Sequence, residues 1–179
     1  MSNEIETYQS HPFDLTHKIT VEKHGHTALI TLNNPPANTW DNDSLIGLKQ
    51  LIEHLNRDDD VYALVITGQG HKFFSAGADL KLFADGDKAR AREMARRFGE
   101  AFEALRDFRG VSIAAINGFA MGGGLECALA CDIRIAESHA QLALPEATVG
   151  VLPCAGGTRA LSWLVGEGGA KPTTAWGDR

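Results

Sequence analysis

Residues Ile113 to Glu126 read IAAINGFAMGGGLE, an apolar run followed by an Asn-Gly turn and a glycine triplet. The run Val111–Ile116 is typical of a buried strand, and Gly122–Gly124 predicts a helix that begins there and continues to about Ala130. Glycines at such a turn let a ligand approach the backbone, where amide N–H groups and the helix dipole stabilise a negative oxygen. Close helix–strand packing is the alternative explanation of the triplet.

Two nucleotide-binding motifs are excluded for this turn. Its glycine spacing differs from G-x-G-x-x-G, and no Lys-Ser or Lys-Thr pair follows the triplet as a P-loop requires. A phosphate-binding loop of either kind is therefore not predicted.

Strand-like and helix-like segments alternate along the rest of the chain. This alternation predicts an α/β fold with crossover connections. Ala63–Thr67 is a continuous apolar run, which is typical of a strand buried on both faces. The predicted strands are Ile19–Glu22, Thr27–Leu32, Ala63–Thr67, Val111–Ile116 and Asp132–Ala136, and the predicted helices are Asn42–Asn56, Lys88–Phe108 and Gly122–Ala130.

Three regions are predicted: a mobile N-terminal arm over 1–18, a core domain over 19–165, and an irregular tail over 166–179 in which Pro172 disrupts a helix. The length of 179 residues suits one domain. No internal repeat is visible.

Composition excludes several classes of protein. Hydrophobic residues make up 44% and charged residues 22% of the chain, which excludes a disordered or fibrous protein. The net charge of −6 argues against a nucleic-acid partner. The apolar span Val111–Cys131 contains Glu126 and four glycines, so no transmembrane helix is predicted. With three cysteines and no targeting segment, we expect a cytoplasmic location.

Two glutamates stand out as candidate acid/base groups. Glu126 follows the glycine triplet among small apolar residues, where a carboxylate needs a partner or a purpose. Glu146 lies in the mostly apolar stretch Leu144–Ala147, and an ordinary exposed loop residue is the alternative there.

Other polar clusters have structural explanations. Cys127 and Cys131 share a helical face and are interpreted as packing residues, and no histidine is placed to activate Cys154 as a nucleophile. The acidic triplet Asp58–Asp60 is interpreted as a solvated loop, so no metal site is predicted. The arginines of the second helix predict a solvated face, with phosphate contact as the alternative: Arg90, Arg92, Arg96 and Arg97.

Taken together, three motifs in order resemble the crotonase superfamily, that is, the enoyl-CoA hydratase/isomerase family. The first is Phe74–Leu80, the second runs from Ile113 through the glycine triplet to Ile133, and the third runs from Leu144 to Thr158. The resemblance implies a spiral of repeated ββα units that binds an acyl-CoA thioester. It also implies roles for seven residues: an oxyanion hole from the N–H groups of Ala78 and Gly123, substrate binding by Ala78, Asp79, Leu80, Lys81 and Gly123, and catalysis by Glu126 and Glu146.

The resemblance implies hydration of 2-enoyl-CoA to 3-hydroxyacyl-CoA, because two carboxyls supply the base and the acid that water addition needs. The alternatives are double-bond isomerisation and an inactive acyl-CoA-binding scaffold. No separate cofactor is implied, since coenzyme A is part of the substrate.

Two departures from the family pattern are visible. Cys154 stands where many hydratases have glycine. Family members also continue with C-terminal helices that cover the site and build trimers or hexamers, so we expect a truncated chain that lacks this helical subdomain.

Overall fold

Two β-sheets and four α-helices form the part of the chain that the computed structural model describes, residues 6–7 and 17–176. The strands are β1 Glu6–Thr7, β2 Ile19–His24, β3 Thr27–Leu32, β4 Ala63–Gly68, β5 Phe73–Ser75, β6 Val111–Ile116, β7 Phe119–Met121, β8 Ile133–Ala136 and β9 Leu142–Ala143. The α-helices are α1 Asn42–Leu55, α2 Lys88–Arg106, α3 Gly123–Ala130 and α4 Gly157–Lys171. Short 3₁₀ turns cover Leu80–Phe83 and Pro145–Val149.

The larger sheet has the strand order β1-β2-β3-β4-β6-β8. β1, β2 and β3 pair in antiparallel fashion, whereas β3, β4, β6 and β8 run parallel. Parallel neighbours need crossover connections, and α1, α2 and α3 lie in the three segments that join these strands. The predicted α/β class with crossovers is therefore confirmed.

The smaller sheet consists of three parallel strands in the order β5-β7-β9. The chain visits the large sheet, then the small sheet, then a helix, in the successive units β4-β5-α2 and β6-β7-α3, and β8-β9 begins a third. This alternation is the spiral of ββα units that the resemblance implied. Because the units share little sequence, the repeat is not visible in the residues alone.

The hydrophobic core lies between the large sheet and the helices. Ile30, Ile66 and Ala114 are fully buried on neighbouring strands, and Leu48 of α1 and Phe102 of α2 belong to the same cluster. The residues that alternate with them, such as Val65, are only half-buried. The prediction that Ala63–Thr67 is buried on both faces is thus wrong, because the described helices cover one face of this strand.

A capping box fixes the start of α1. The Asp41 carboxylate accepts from the Ser44 N–H at 3.0 Å, and the Ser44 hydroxyl accepts from the Asp41 N–H at 2.8 Å. The Lys18 ammonium also bonds to Asp41. Burial alone would raise the pKa of Asp41. The hydrogen bonds from Lys18 and Ser44, together with the positive charge of Lys18, outweigh this effect and lower the pKa.

Regular secondary structure extends into both end segments of the chain. Within 1–18, Glu6 and Thr7 form a strand opposite Lys23 and Glu22; residues 1–5 and 8–16 lie outside the described part. The tail is wrong as an irregular segment: α4 continues to Lys171 with a kink at Gly166, and a π-turn covers Pro172–Trp176. Pro172 has φ −58° just after the end of α4, an angle that its ring favours. Residues 177–179 lie outside the described part.

Candidate active site

The three strands of the small sheet deliver the three sequence motifs to one edge. β5 ends at Ser75 and leads into Ala76–Ala78, β7 ends at Met121 and leads into the glycine triplet, and β9 ends at Ala143 and leads to Glu146. Because the strands are parallel, their carboxyl ends meet on the same side of the sheet, where α/β proteins bind their ligands. The Gly122 N–H donates to the Ala143 carbonyl at 2.9 Å and ties two of these turns together.

Each glycine of the triplet makes a close approach that a side chain would prevent. A Cβ on Gly122 would lie 2.9 Å from Oε1 of Glu146, and one on Gly123 would lie 2.6 Å from Cε1 of Phe98. One on Gly124 would lie 2.2 Å from the Ser75 carbonyl oxygen. Gly122 also has φ +53°, a left-handed angle that favours glycine. Close helix–strand packing is thus confirmed for the triplet, and the approach of a ligand to this turn stays a prediction.

The candidate oxyanion amides, those of Ala78 and Gly123, lie on neighbouring turns. A Cβ on Gly77, next to Ala78, would lie 3.2 Å from the Gly123 nitrogen. Trp40 bonds on both sides of Ala78: its N–H donates to the Gly77 carbonyl at 2.8 Å, and its carbonyl accepts from the Asp79 N–H at 2.9 Å. Among the hydrogen bonds of residues 17–176, neither the Ala78 N–H nor the Gly123 N–H has an acceptor. Gly123 is the first residue of α3, where the N–H lacks an intrahelical partner.

Glu126 is held in place by the backbone of another segment. Its side chain is 3% exposed, and Oε1 accepts from the N–H groups of Ala155 at 2.8 Å and Gly157 at 2.9 Å. Burial raises the pKa of Glu126, and the two amide bonds partly counteract this rise. These two amides come from the third sequence motif, and sequence reasoning did not assign them a role.

Glu146 lies in the 3₁₀ turn Pro145–Val149 and is 9% exposed, so the expectation of an ordinary loop residue does not describe it. Its Oε2 is buried without a hydrogen-bond partner among the described residues. Burial raises the pKa of Glu146 to about 7, and the charge of Glu126 adds to the rise. The two carboxyls are therefore close enough to interact electrostatically, and one of them has a free oxygen.

In the segment Ala78–Lys81, Asp79 has a structural role, whereas Leu80 and Lys81 lie at the surface. The Asp79 carboxylate caps the 3₁₀ turn Leu80–Phe83 by accepting from the Lys81 N–H at 3.1 Å. Leu80 is 56% exposed and Lys81 is exposed, so both side chains are available to a bound molecule.

Cys154 lies in the loop between Glu146 and α4 and is exposed, whereas Cys127 and Cys131 are buried. The crowded surroundings of its thiol raise the pKa of Cys154 to about 11, and the charges of Glu126 and Glu146 add to the rise. The thiol is therefore protonated at neutral pH, which does not suit a nucleophile.

The remaining polar clusters lie outside this edge. Arg90 pairs with Asp85, and Arg96 pairs with Glu93 on the exposed face of α2, as a solvated face predicts. Arg97 also pairs with Glu93, but its side chain is only 25% exposed, and its Nε is buried without a hydrogen-bond partner among the described residues. In the described ranges, no three His, Cys, Asp or Glu residues are arranged to hold a metal ion. No helix within 6–7 and 17–176 has the length and apolar character to span a membrane.

The family model for enoyl-CoA hydratase/isomerase matches residues 22–179. The chain belongs to the enoyl-CoA hydratase/isomerase family. A member from Clostridium acetobutylicum, named short-chain-enoyl-CoA hydratase, is 40% identical over 154 residues, which cover 86% of this chain and 59% of the relative. The chain thus spans less than two thirds of the length of the curated relatives it matches.

Solved structures of the family superpose on the same fold. The structure of Pseudomonas aeruginosa DspI is 81% identical, with a TM-score of 0.92 over 96% of this chain and 69% of that one. The enoyl-CoA hydratase from Bacillus anthracis is 36% identical, with a TM-score of 0.86 over 91% of this chain and 64% of that one.

Proposed function

We propose that the site adds water to the double bond of a 2-enoyl-CoA thioester and forms a 3-hydroxyacyl-CoA. The observation that carries this proposal is the meeting of two buried carboxyls with two unengaged backbone amides at the carboxyl ends of three parallel strands. Family membership and the hydratase names of relatives supply the substrate class.

The two glutamates take different roles because their surroundings differ. Glu126, whose Oε1 accepts two amide bonds, is favoured as the ionised base that removes a proton from water. Glu146, with a pKa of about 7 and a free oxygen, is favoured as the acid that delivers a proton to Cα. The hydroxide oxygen bonds to Cβ as the double bond opens, and Glu146 gives its proton to Cα, so one water is consumed. Glu126 ends protonated and Glu146 ends ionised, and transfer of one proton from Glu126 to Glu146 restores the starting state.

The amides of Ala78 and Gly123 serve the charge that develops on the thioester oxygen. As water adds at Cβ, electrons move through Cα to that oxygen and form an enolate. Two fixed N–H donors stabilise the enolate more than the ground-state carbonyl, and each such donor typically contributes about 3–4 kcal/mol. Leu80 and Lys81 contact the coenzyme A portion in this proposal, which their exposure supports. Because coenzyme A belongs to the substrate, no separate cofactor is proposed.

Double-bond isomerisation is the second candidate, and the free Oε2 of Glu146 is the observation that favours it. A single carboxyl can take a proton from Cα of a 3-enoyl-CoA and return it to Cγ. Glu126 would then serve only as a neighbouring charge.

Glu126→Gln separates the two candidates. For a hydratase, we expect the rate of water addition to crotonyl-CoA, measured by absorbance, to fall by about 10²- to 10⁴-fold. For an isomerase, the conversion of 3-enoyl-CoA would persist. Thr158→Ala, at an exposed position at the start of α4, is the control that keeps full activity. Binding of CoA without either reaction in the unaltered chain would favour a non-catalytic scaffold and overturn both candidates.

A further inference from the structure

An aromatic chain connects the turns that carry the two candidate oxyanion amides. Phe98 and Phe102 lie four residues apart on α2 and therefore face the same way. Their ring centroids are 5.6 Å apart with an interplanar angle of 76°, and the Trp40 ring lies 5.5 Å from Phe102 at 72°. Both contacts have the edge-to-face geometry that aromatic pairs prefer.

One end of this chain touches Gly123. The position a Cβ would occupy on Gly123 lies 2.6 Å from Cε1 and 3.2 Å from Cζ of Phe98. The ring, 3% exposed, therefore abuts the Cα of the residue whose N–H begins α3. No smaller side chain at position 98 would fill the same space against this glycine.

The other end touches the turn of Ala78. Trp40 forms backbone hydrogen bonds with Gly77 and Asp79, so its main chain fixes the peptide that lies between them. Its indole is 1% exposed, and its Nε1 is buried without an acceptor among the described residues. A buried indole N–H ordinarily finds a partner. Since this one has none among the described residues, ring packing rather than hydrogen bonding sets the position of the side chain.

We propose that Phe98 is a positioning residue for the reaction: through Gly123 on one side, and through Phe102 and Trp40 on the other, its ring sets the spacing of the Gly123 and Ala78 amides. This inference rests on the proposed function, because it gives those amides a task. α2 then packs behind two turns that also approach each other directly at Gly77 and Gly123. A change of ring size would alter the stabilisation of the enolate while leaving the contacts with coenzyme A in place.

The first test is Phe98→Leu, assayed for hydration of crotonyl-CoA. A displaced donor, unlike a lost contact with substrate, lowers kcat and spares KM. We expect kcat to fall by about 10- to 100-fold with KM changed by less than about threefold. The matched control is Leu105→Val, which shortens another fully buried side chain two turns further along α2 and should retain kcat.

The second test measures the amides without turnover. A cinnamoyl-type CoA thioester absorbs at longer wavelength when donors polarise its carbonyl. We expect the bound thioester to show this red shift in the unaltered chain and in Leu105→Val, and to lose most of the shift in Phe98→Leu.

A size exchange gives a third test. In Gly123→Ala the new methyl group meets the Phe98 ring, so kcat should fall, and adding Phe98→Leu should restore part of it because the ring edge is gone. A double mutant whose fold-loss in kcat is the product of the fold-losses of the two single mutants would contradict contact between the Phe98 ring and Gly123.

The outcomes separate the two proposals. If the unaltered chain neither hydrates crotonyl-CoA nor red-shifts the absorbance of the bound cinnamoyl-type thioester, the proposed function is wrong, and this inference is wrong with it. If the unaltered chain does both and Phe98→Leu keeps kcat and the red shift within about twofold, or Leu105→Val loses as much, the inference alone is wrong.

Discussion

At the scale of single residues, the site depends on contacts that adjacent sequence does not show. The motif containing Glu126 is recognisable in the chain, but the amides that hold its Oε1 belong to Ala155 and Gly157, about thirty positions away. Glu146 likewise depends on Gly122 of another turn. Candidate residues could be picked from their own surroundings, whereas their partners could not, because tertiary contacts bring those partners together.

Gly157 is predicted to be essential for the place of Glu126. A Cβ there would lie 2.8 Å from Cγ and 2.9 Å from Oε1 of Glu126, so Gly157→Ala should displace the carboxylate. We expect hydration to fall by about 10²-fold with the fold retained, measured by kcat and circular dichroism. Gly168→Ala in the same helix has open space around it and should keep its activity; equal kcat in both variants would refute this role.

Glu146 is predicted to weaken the folded state as pH rises. A pKa raised from 4.5 to about 7 means that the ionised carboxylate is less stable in the fold than in the unfolded chain. This penalty is absent below about pH 4.5, grows as pH rises to 7, and amounts to roughly 3 kcal/mol above that.

Glu146→Gln should therefore unfold at higher urea concentration than the unaltered chain at pH 8, and the two should converge at pH 4.5. Denaturation curves at both pH values measure this. The same variant should lose most hydration activity, since an amide cannot donate the proton. Equal midpoints at pH 8 would mean that the carboxyl is not destabilised by burial.

The thiol of Cys154 is predicted to resist alkylation at neutral pH. Its pKa of about 11 leaves little thiolate at pH 7, although the residue is exposed. The rate of iodoacetamide labelling, followed by mass spectrometry, should rise about tenfold per pH unit from 8 to 10. Fast labelling at pH 7 with no pH dependence would contradict the raised pKa of this thiol and the surroundings that cause it.

At the scale of elements, the sequence predicts where the helices begin better than it predicts what packs against each element. Asp41 and Asp87 cap α1 and α2 near the predicted starts, because such caps act within a few residues. The burial of β4 was overestimated, since apolar residues stand on its outer face as well as its inner face. Pro172 misled the prediction of the tail because a proline after the last turn leaves a helix intact.

The capping box at α1 is predicted to contribute measurably to stability. Asp41→Ala removes the bond to the Ser44 N–H and the partner of Lys18, so the free energy of unfolding should fall by about 1–2 kcal/mol at pH 7. Since the pKa of Asp41 is lowered below 3.8, this contribution should persist above that pH and vanish in stronger acid. Asp43→Ala, at a more exposed partner of Lys18, is the matched control with a smaller loss.

At the scale of the whole molecule, the architecture followed from the order of three motifs, whereas the exposed surface did not follow from any of them. Large apolar side chains lie exposed beyond Glu146 and along α4: Val149, Val151, Leu152, Trp163, Leu164 and Val165. Leu152 and Trp163 are 80% and 78% exposed. Which side chains reach solvent depends on what packs against them, and no local pattern records this.

This surface is predicted to make the isolated chain associate and to bind hydrophobic dyes. Replacing Leu152 and Trp163 with serine should reduce anilinonaphthalene sulfonate fluorescence and the apparent mass in light scattering, with little change in the unfolding midpoint. The same exchange at the buried Leu48 should unfold the chain instead. Unchanged dye binding in the double variant would show that this surface is not the cause.

The three strands of the small sheet have a consequence for how the chemistry of this protein can change. The candidate groups lie on three turns: the Ala78 amide after β5, the Gly123 amide and Glu126 after β7, and Glu146 after β9. Main-chain hydrogen bonds join the strands that precede these turns. A substitution in the turn after β5 therefore alters one candidate amide, whereas a substitution at the start of α3 alters an amide and a carboxyl together. Changes in sequence can thus reach different parts of this edge separately or jointly, while the sheet that carries them stays the same.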